Sequence, residues 1–158
     1  MNCQNCVDVY VGIDPGKSGS IAILNKDANI IDIKDWSDEY IIDNYIKYIE
    51  YMYNIKNCIL EKVHAYPKQG VNSVWSFGEN YGIWKGLLAA NKIPYKLVTP
   101  QTWQKGQLLP SDSKDKKKRS LVVCRRLYPN DIKKYFKREK DHGRSDAVLI
   151  AKYGINFK

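Results

Sequence analysis

The chain has 158 residues, of which 44% are hydrophobic and 27% charged, and its formal net charge is +9. These values predict one globular domain spanning residues 1–158 with an ordinary core, and they exclude a disordered or fibrous chain. No apolar run reaches membrane length and the N-terminus lacks signal-peptide features, so we expect an intracellular, cytoplasmic protein with no membrane partner.

The first predicted element is a β-hairpin with one acid at the end of its first strand. Residues 7–13 alternate with period two, residues 21–24 are apolar throughout, and Pro15, Gly16 and Gly19 between them require a turn. Asp14 therefore ends the first strand. Taken alone, this carboxylate fits a turn cap as well as a metal or anion site.

The next segments predict a third strand, a helix and a second acid at the same sheet edge. Residues 29–33 read as a strand, Ser37 as the N-cap of an amphipathic helix reaching Tyr53, and residues 57–63 as a buried strand. A strand that follows a helix in this way should lie parallel to the first strand. Its Glu61 would then approach Asp14 closely enough to share one ion.

A loop at residues 64–72 leads into a helix at residues 73–91 that carries glycine at every fourth position. Gly78, Gly82 and Gly86 form a stripe of small residues, which favours close packing of another element and leaves a dimer contact open. Residues 93–98 predict the next strand, and a short turn or helix from Pro100 bears Lys105.

The segment from residue 114 to residue 140 holds 12 of the 26 basic residues. It predicts a helix over residues 113–127 and a short basic helix over residues 131–140. Such a block suits a polyanion, most commonly a phosphate backbone, although a solvated helix face would look the same.

The last predicted helix, residues 143–153, carries Asp146 in its first turns on an otherwise apolar side, with His142 one turn earlier on the same face. Asp14, Glu61 and Asp146, with His142 or Asp141 as a fourth member, offer mainly hard oxygen ligands. This set favours Mg²⁺ or Mn²⁺ over zinc. In a basic protein it indicates phosphodiester cleavage with two ions about 3.5–4 Å apart.

Four sequence blocks in order resemble the RuvC-type Holliday-junction resolvases, especially their phage, viral and bacterial relatives. The blocks are GIDPGKSGS, LEKVHAYPKQGVNSVWSFGENYGIWKG, IPYKLVTPQTWQK and DHGRSDAVLIAKYG. The resemblance covers residues 10–154. It implies an α/β, RNase H-like fold: a mixed five-stranded sheet whose first three strands are antiparallel, with helices on both faces.

The same resemblance implies a homodimeric crossover junction endodeoxyribonuclease that nicks four-way DNA symmetrically with two Mg²⁺ ions per site. Mn²⁺ is expected to substitute, no small-molecule cofactor is expected, and a phage or viral origin is open. By motif, Asp14, Glu61 and Asp146 are the family's acids. Many relatives carry a further acid where this chain has Gly143. His142 is therefore the expected fourth ligand, and Asp141 is the alternative.

The resemblance also implies a set of DNA-contacting residues. Tyr66, with His64 second, is the candidate for stacking on junction bases, and Lys68 and Gln69 share its loop. Family members use lysines between the fifth strand and the last helix near the scissile region. The matching positions here are Lys105, Lys114, Lys116, Lys117 and Lys118.

Rival functions differ in how far the sequence excludes them. An actin-like ATPase needs a second hairpin and a longer chain, and GIDPGKS has three residues between its glycines where a P-loop requires four. A catalytically idle DNA-binding module is disfavoured because all three acids are present. A less selective RNase H-like nuclease acting on forks, flaps or RNA–DNA hybrids would carry the same acids and stays open.

Overall fold

A computed structural model of the chain describes residues 6–64 and 70–157, and it contains one five-stranded sheet of order β3-β2-β1-β4-β5. The first three strands are antiparallel neighbours, and β4 and β5 run parallel to β1. The predicted mixed α/β sheet is confirmed. The strands are β1 (Val7–Asp14), β2 (Ser20–Asn25), β3 (Ile30–Asp35), β4 (Tyr53–Glu61) and β5 (Lys96–Val98).

Helices cover both faces of the sheet. The α-helices are α1 (Glu39–Met52), α2 (Val71–Ala90), α3 (Pro100–Gln104), α4 (Arg119–Leu127), α5 (Ile132–Tyr135) and α6 (His142–Ile155). Short 3₁₀ turns lie at Pro110–Asp112, Lys116–Lys118 and Pro129–Asp131. Within the described residues, no helix combines the length and apolar character needed to cross a membrane.

The sheet separates two hydrophobic cores, and strand alternation decides which side chain enters which core. On β2, Ile21 and Ile23 pack with α1 and α2, whereas Ala22 and Leu24 pack with α4 and α6. Because β2 is buried on both faces, its residues 21–24 are all apolar instead of alternating with polar residues.

Helix α6 lies directly against β1 because Gly12 has no side chain. A Cβ added at Gly12 would lie 2.2 Å from the Ala151 nitrogen and 2.3 Å from the Ala147 carbonyl oxygen. Both atoms belong to the α6 backbone, so no side-chain rotation could relieve the contact. Gly12 therefore sets the distance between the strand that carries Asp14 and the helix that carries Asp146.

Several predicted element boundaries were wrong for local reasons. Asp38, not Ser37, caps α1, since its Oδ1 accepts a 2.9 Å hydrogen bond from the Ile41 N–H. Helix α1 ends at Met52 and β4 begins directly at Tyr53, not at residue 57. The helix predicted from residue 113 begins only at Arg119, because the lysine-rich stretch before it has no apolar face to bury.

The remaining boundary differences are small. The short basic helix predicted over residues 131–140 is reduced to the single turn of α5, and β5 is shorter than the strand predicted over residues 93–98. Strand β3 extends two residues beyond its predicted end at residue 33. None of these changes moves the three acids off the elements on which the sequence placed them.

Candidate active site

Asp14 and Glu61 are the last residues of two adjacent parallel strands. Ile13 of β1 pairs with Leu60 of β4, so the next residue on each strand is an acid at the same sheet edge. Neighbouring strands lie about 4.8 Å apart. Burial, and then the nearby charge of Asp14, raise the pKa of Glu61 to about 7, while a hydrogen bond from Trp103 acts in the opposite direction.

Asp14 serves both as a turn cap and as a member of an acid cluster. Its Oδ1 accepts a 2.9 Å hydrogen bond from the Gly16 N–H, which is the capping role. Burial raises its pKa, and this effect outweighs the lowering by the Gly16 hydrogen bond and by the charge of His142. The turn is held further by the buried Asn80 side chain, which donates to the Gly16 carbonyl oxygen at 3.1 Å.

Asp146 joins the cluster from α6. Its pKa is raised well above the usual carboxyl value, first by burial and then by the negative charge of Asp14, with a smaller contribution from Glu61. A hydrogen bond from the buried Ser120 of α4 opposes the shift. The structure therefore brings Asp14, Glu61 and Asp146 from three separate elements within electrostatic range of one another. The charge of His142 also acts on Asp14, but the His142 side chain lines a neighbouring pocket together with Arg138 and Asp141.

Burial raises the pKa of all three carboxylates, which are partly buried, and the negative charge of Asp14 adds to this rise for Glu61 and Asp146. Among residues 6–64 and 70–157, no group of three or more His, Cys, Asp or Glu side chains lies close enough together to form a metal site by itself. A hard cation does not need such a group, since Mg²⁺ usually keeps several waters and binds one or two carboxylates together with substrate phosphates. The donor set and its unrelieved repulsion thus fit divalent cations of this type.

Gly143 cannot carry an acid in this structure. A Cβ at this position would lie 2.1 Å from the Ser18 carbonyl oxygen, because the N-terminus of α6 packs on the hairpin turn. The alternative ligand Asp141 is buried, and both of its carboxylate oxygens accept hydrogen bonds from Arg138, at 2.7–2.9 Å. Although burial raises the pKa of Asp141, these hydrogen bonds outweigh that effect and hold it below its usual value.

A basic groove of about 470 Å³ adjoins the acid cluster. It reaches Asp146 at one side and is lined by four cationic side chains: Lys105, Lys116, Lys117 and Arg119. The end of α3 and the segment that leads into α4 thus meet at one surface. A phosphate backbone lying in this groove would pass directly beside the acids.

Comparison with known proteins gives a likeness in fold. No protein-family model and no curated protein sequence matches the chain. Among solved structures, T. thermophilus RuvC in complex with Holliday junction substrate matches with a TM-score of 0.64 and 12% sequence identity, over 94% of this chain and 92% of that chain. This chain has the RuvC fold. The matched share must include residues of α6, since omitting all 14 of them would leave less than 94% of the chain.

The predicted DNA-contacting residues that do not line the basic groove lie in other parts of this RuvC fold. His64 lines a cleft of about 330 Å³ that also contains Glu61 and Phe77. Lys118 is turned to Glu139, with 2.9 Å between its Nζ and the Glu139 Oε2, and Lys114 is exposed outside the basic groove. The predictions for Tyr66, Lys68 and Gln69 fall outside the described residues.

Sequence reasoning missed two residues of the site. Trp103 donates a 2.8 Å hydrogen bond from its indole Nε1 to Glu61 Oε1, and Arg119 lines the basic groove. For Trp103 the only signal is a general one: a buried indole N–H usually has a partner, which the sequence does not identify. No comparable signal separates Arg119 from the other cations of its segment.

Proposed function

We propose that this chain is a divalent-metal-dependent endodeoxyribonuclease that resolves four-way DNA junctions by paired, symmetric nicks. The observation that carries the proposal is the basic groove lined by Lys105, Lys116 and Lys117, which ends at Asp146 in the acid cluster. The RuvC fold supports it, since the matching structure is a RuvC in complex with a Holliday junction. In this proposal residues 1–158 act as one nuclease domain.

Asp14, Glu61, Asp146 and His142 would hold two Mg²⁺ ions, with Mn²⁺ able to substitute. When bound, the ions supply activation of the attacking water and stabilisation of the leaving oxygen in phosphodiester hydrolysis. We choose His142 over Asp141 because Arg138 occupies both Asp141 oxygens, whereas the charge of His142 acts on Asp14.

The protein's own residues supply position and charge balance. Cations of the basic groove would bind backbone phosphates and so align the scissile phosphodiester with the acids. The acids would repel the same backbone when no cation is bound, which makes productive DNA binding depend on the metal. The three carboxyls resist ionisation when no cation is bound, so they become fully ionised only when bound cations balance their negative charge.

The test compares matched four-way junctions, forks, flaps, linear duplex and RNA–DNA hybrid as substrates with Mg²⁺. Symmetric paired nicks confined to the four-way junction would support the proposal. Comparable cleavage of forks, flaps or hybrids would favour the alternative, a less selective RNase H-like nuclease. Absence of cleavage on every substrate, with metal present and the protein folded, would contradict both.

A charge change in the basic groove should weaken DNA binding without changing the fold. We expect Lys105→Glu/Lys117→Glu to weaken junction binding about 10- to 100-fold at 0.1 M salt and to lower the salt-dependence slope by about 2. Both lysines line the groove beside Asp146. Fluorescence anisotropy across a salt series measures both quantities. Lys26→Glu/Lys92→Glu, at two exposed turns, is the charge-matched control and should change neither.

A second copy of the chain is the proposed partner, and α2 is its proposed contact. Paired nicks need two active sites, and α2 carries exposed apolar side chains at Val71 and Trp75, which are 83% and 74% exposed. A Cβ added at Gly78 or Gly82 would contact no described atom within 4 Å, apart from the helix's own backbone. The glycine stripe therefore serves no close packing within the described part of this chain.

Trp75→Asp is expected to convert a dimer into a monomer, because it introduces a charge at the centre of the proposed apolar contact. Light scattering coupled to size-exclusion chromatography measures the mass. Tyr40→Asp is the matched control, since Tyr40 is also an exposed aromatic residue, 77% exposed, but lies on α1. An unchanged mass for Trp75→Asp would exclude this face.

A further inference from the structure

Trp103 contacts the acid cluster from the core of the protein. Only 1% of its surface is exposed, and its indole Nε1 donates to Glu61 Oε1 at 2.8 Å. An indole N–H can only donate, so this bond fixes one defined oxygen of Glu61 and leaves Oε2 free to face a ligand. Glu61 is the last residue of β4, at the sheet edge that also carries Asp14.

Two further hydrogen bonds connect Trp103 to the helix that carries Asp146. The Gln107 side-chain nitrogen donates to the Trp103 carbonyl oxygen at 2.7 Å and to the Leu149 carbonyl oxygen at 2.9 Å. Leu149 lies one helical turn after Asp146 on α6. Glu61, Trp103, Gln107 and α6 therefore form one continuous chain of contacts between two acids of the cluster.

We propose that Trp103 is a positioning residue for metal binding: its indole N–H fixes the Glu61 carboxylate, and Gln107 ties that arrangement to α6. This inference rests on the proposed function only for the identity of the site. The repulsion between Glu61 and Asp14 would otherwise turn the two carboxylates apart. A donor on Oε1 holds Glu61 in place against that repulsion, so that a cation meets two oxygens already directed toward it.

The competing explanation is that Trp103 only fills the core. A substitution at Trp84 distinguishes core filling from a positioning role. Trp84 is also fully buried, but its Nε1 has no hydrogen-bond partner among the described residues. It belongs to the core on the other face of the sheet. Trp84→Phe therefore removes the same atoms as Trp103→Phe but breaks no hydrogen bond.

The experiment compares Trp103→Phe and Trp84→Phe by calorimetric titration with Mn²⁺ alone, thermal unfolding, single-turnover cleavage and junction binding in Ca²⁺. We expect Trp103→Phe to weaken Mn²⁺ binding and slow cleavage by about 10- to 100-fold, with junction affinity changed by less than about twofold. Trp84→Phe should lower the melting temperature while Mn²⁺ affinity and cleavage rate stay within about twofold of the parent chain.

Equal effects of the two substitutions on Mn²⁺ affinity would overturn the proposal, as would an unchanged affinity in Trp103→Phe. If Trp103→Phe does not fold, Gln107→Met takes its place and should weaken Mn²⁺ binding by at least roughly threefold. Failure of the junction assay with normal Mn²⁺ titrations would contradict the proposed function and leave the positioning result standing. A parent chain that binds no Mn²⁺ would contradict the positioning role itself.

Discussion

Asp146→Asn is expected to abolish Mg²⁺-dependent cleavage of a four-way junction, with a loss of at least about a thousandfold in single-turnover rate. Asparagine keeps the size and shape of the side chain but removes the charge that would hold a cation. Junction binding should persist, because the basic groove beside Asp146 is unchanged. Gel shifts in Ca²⁺ and cleavage in Mg²⁺ measure the two properties separately.

The same substitution should raise stability when no metal is present. Folding raises the pKa of Asp146, so its ionised form disfavours the folded state, and this penalty is greatest above the folded pKa. At pH 8 in EDTA, Asp146→Asn should therefore melt at a higher temperature than the parent chain, and added Mg²⁺ should narrow the difference. A gain of stability together with loss of cleavage is typical of residues selected for function.

Asp27→Asn provides the control, since Asp27 lies in the exposed turn after β2, at the end of that strand opposite to the one that pairs with Asp14. It should alter neither the cleavage rate nor the melting temperature measurably. Near-parental cleavage by Asp146→Asn, with DNA binding intact, would remove Asp146 from the active site.

The fold was predictable because the signals that determine it are local. Period-two alternation in β1, the Pro and Gly residues after Asp14, and the helix before β4 are visible in short windows of sequence. Chain topology then requires β4 to lie parallel to β1, and this puts Glu61 at the same edge as Asp14. Strand ends alone thus place Asp14 and Glu61 at one sheet edge, whereas Asp146 was assigned from the pattern of the last helix and from the family resemblance.

The supporting contacts were not predictable because they depend on tertiary packing between distant segments. Trp103 and Glu61 are 42 residues apart, and a tryptophan that fills a core has the same sequence signature as one that donates to an acid. Asp141 was a reasonable ligand on spacing, yet its engagement with Arg138 follows from the conformation of the loop before α6. Sequence patterns identify which elements meet but not which polar groups they pair.

Gly12→Ala is expected to destabilise the protein by about 3 kcal/mol or more and to impair catalysis together with stability. The added Cβ would approach the α6 backbone to 2.2 Å, so α6 would have to move outward by about 1 Å to restore ordinary van der Waals contact. Because α6 carries Asp146 and β1 carries Asp14, this movement would widen the acid cluster. Urea unfolding measures the stability, and Mn²⁺ titration measures the site.

Gly86→Ala is the control for Gly12→Ala, because a Cβ at Gly86 meets no described atom within 4 Å outside its own helix backbone. Because Gly86 belongs to the stripe of the proposed dimer contact, the comparison is made in the Trp75→Asp chain, where Gly86→Ala should stabilise the protein by about 0.5–1 kcal/mol. Truncating Ala147 or Ala151 to glycine should not rescue Gly12→Ala, since the obstructing atoms belong to the backbone. A loss below about 0.5 kcal/mol for Gly12→Ala would mean that the contact between α6 and β1 is not what fixes the spacing of the acids.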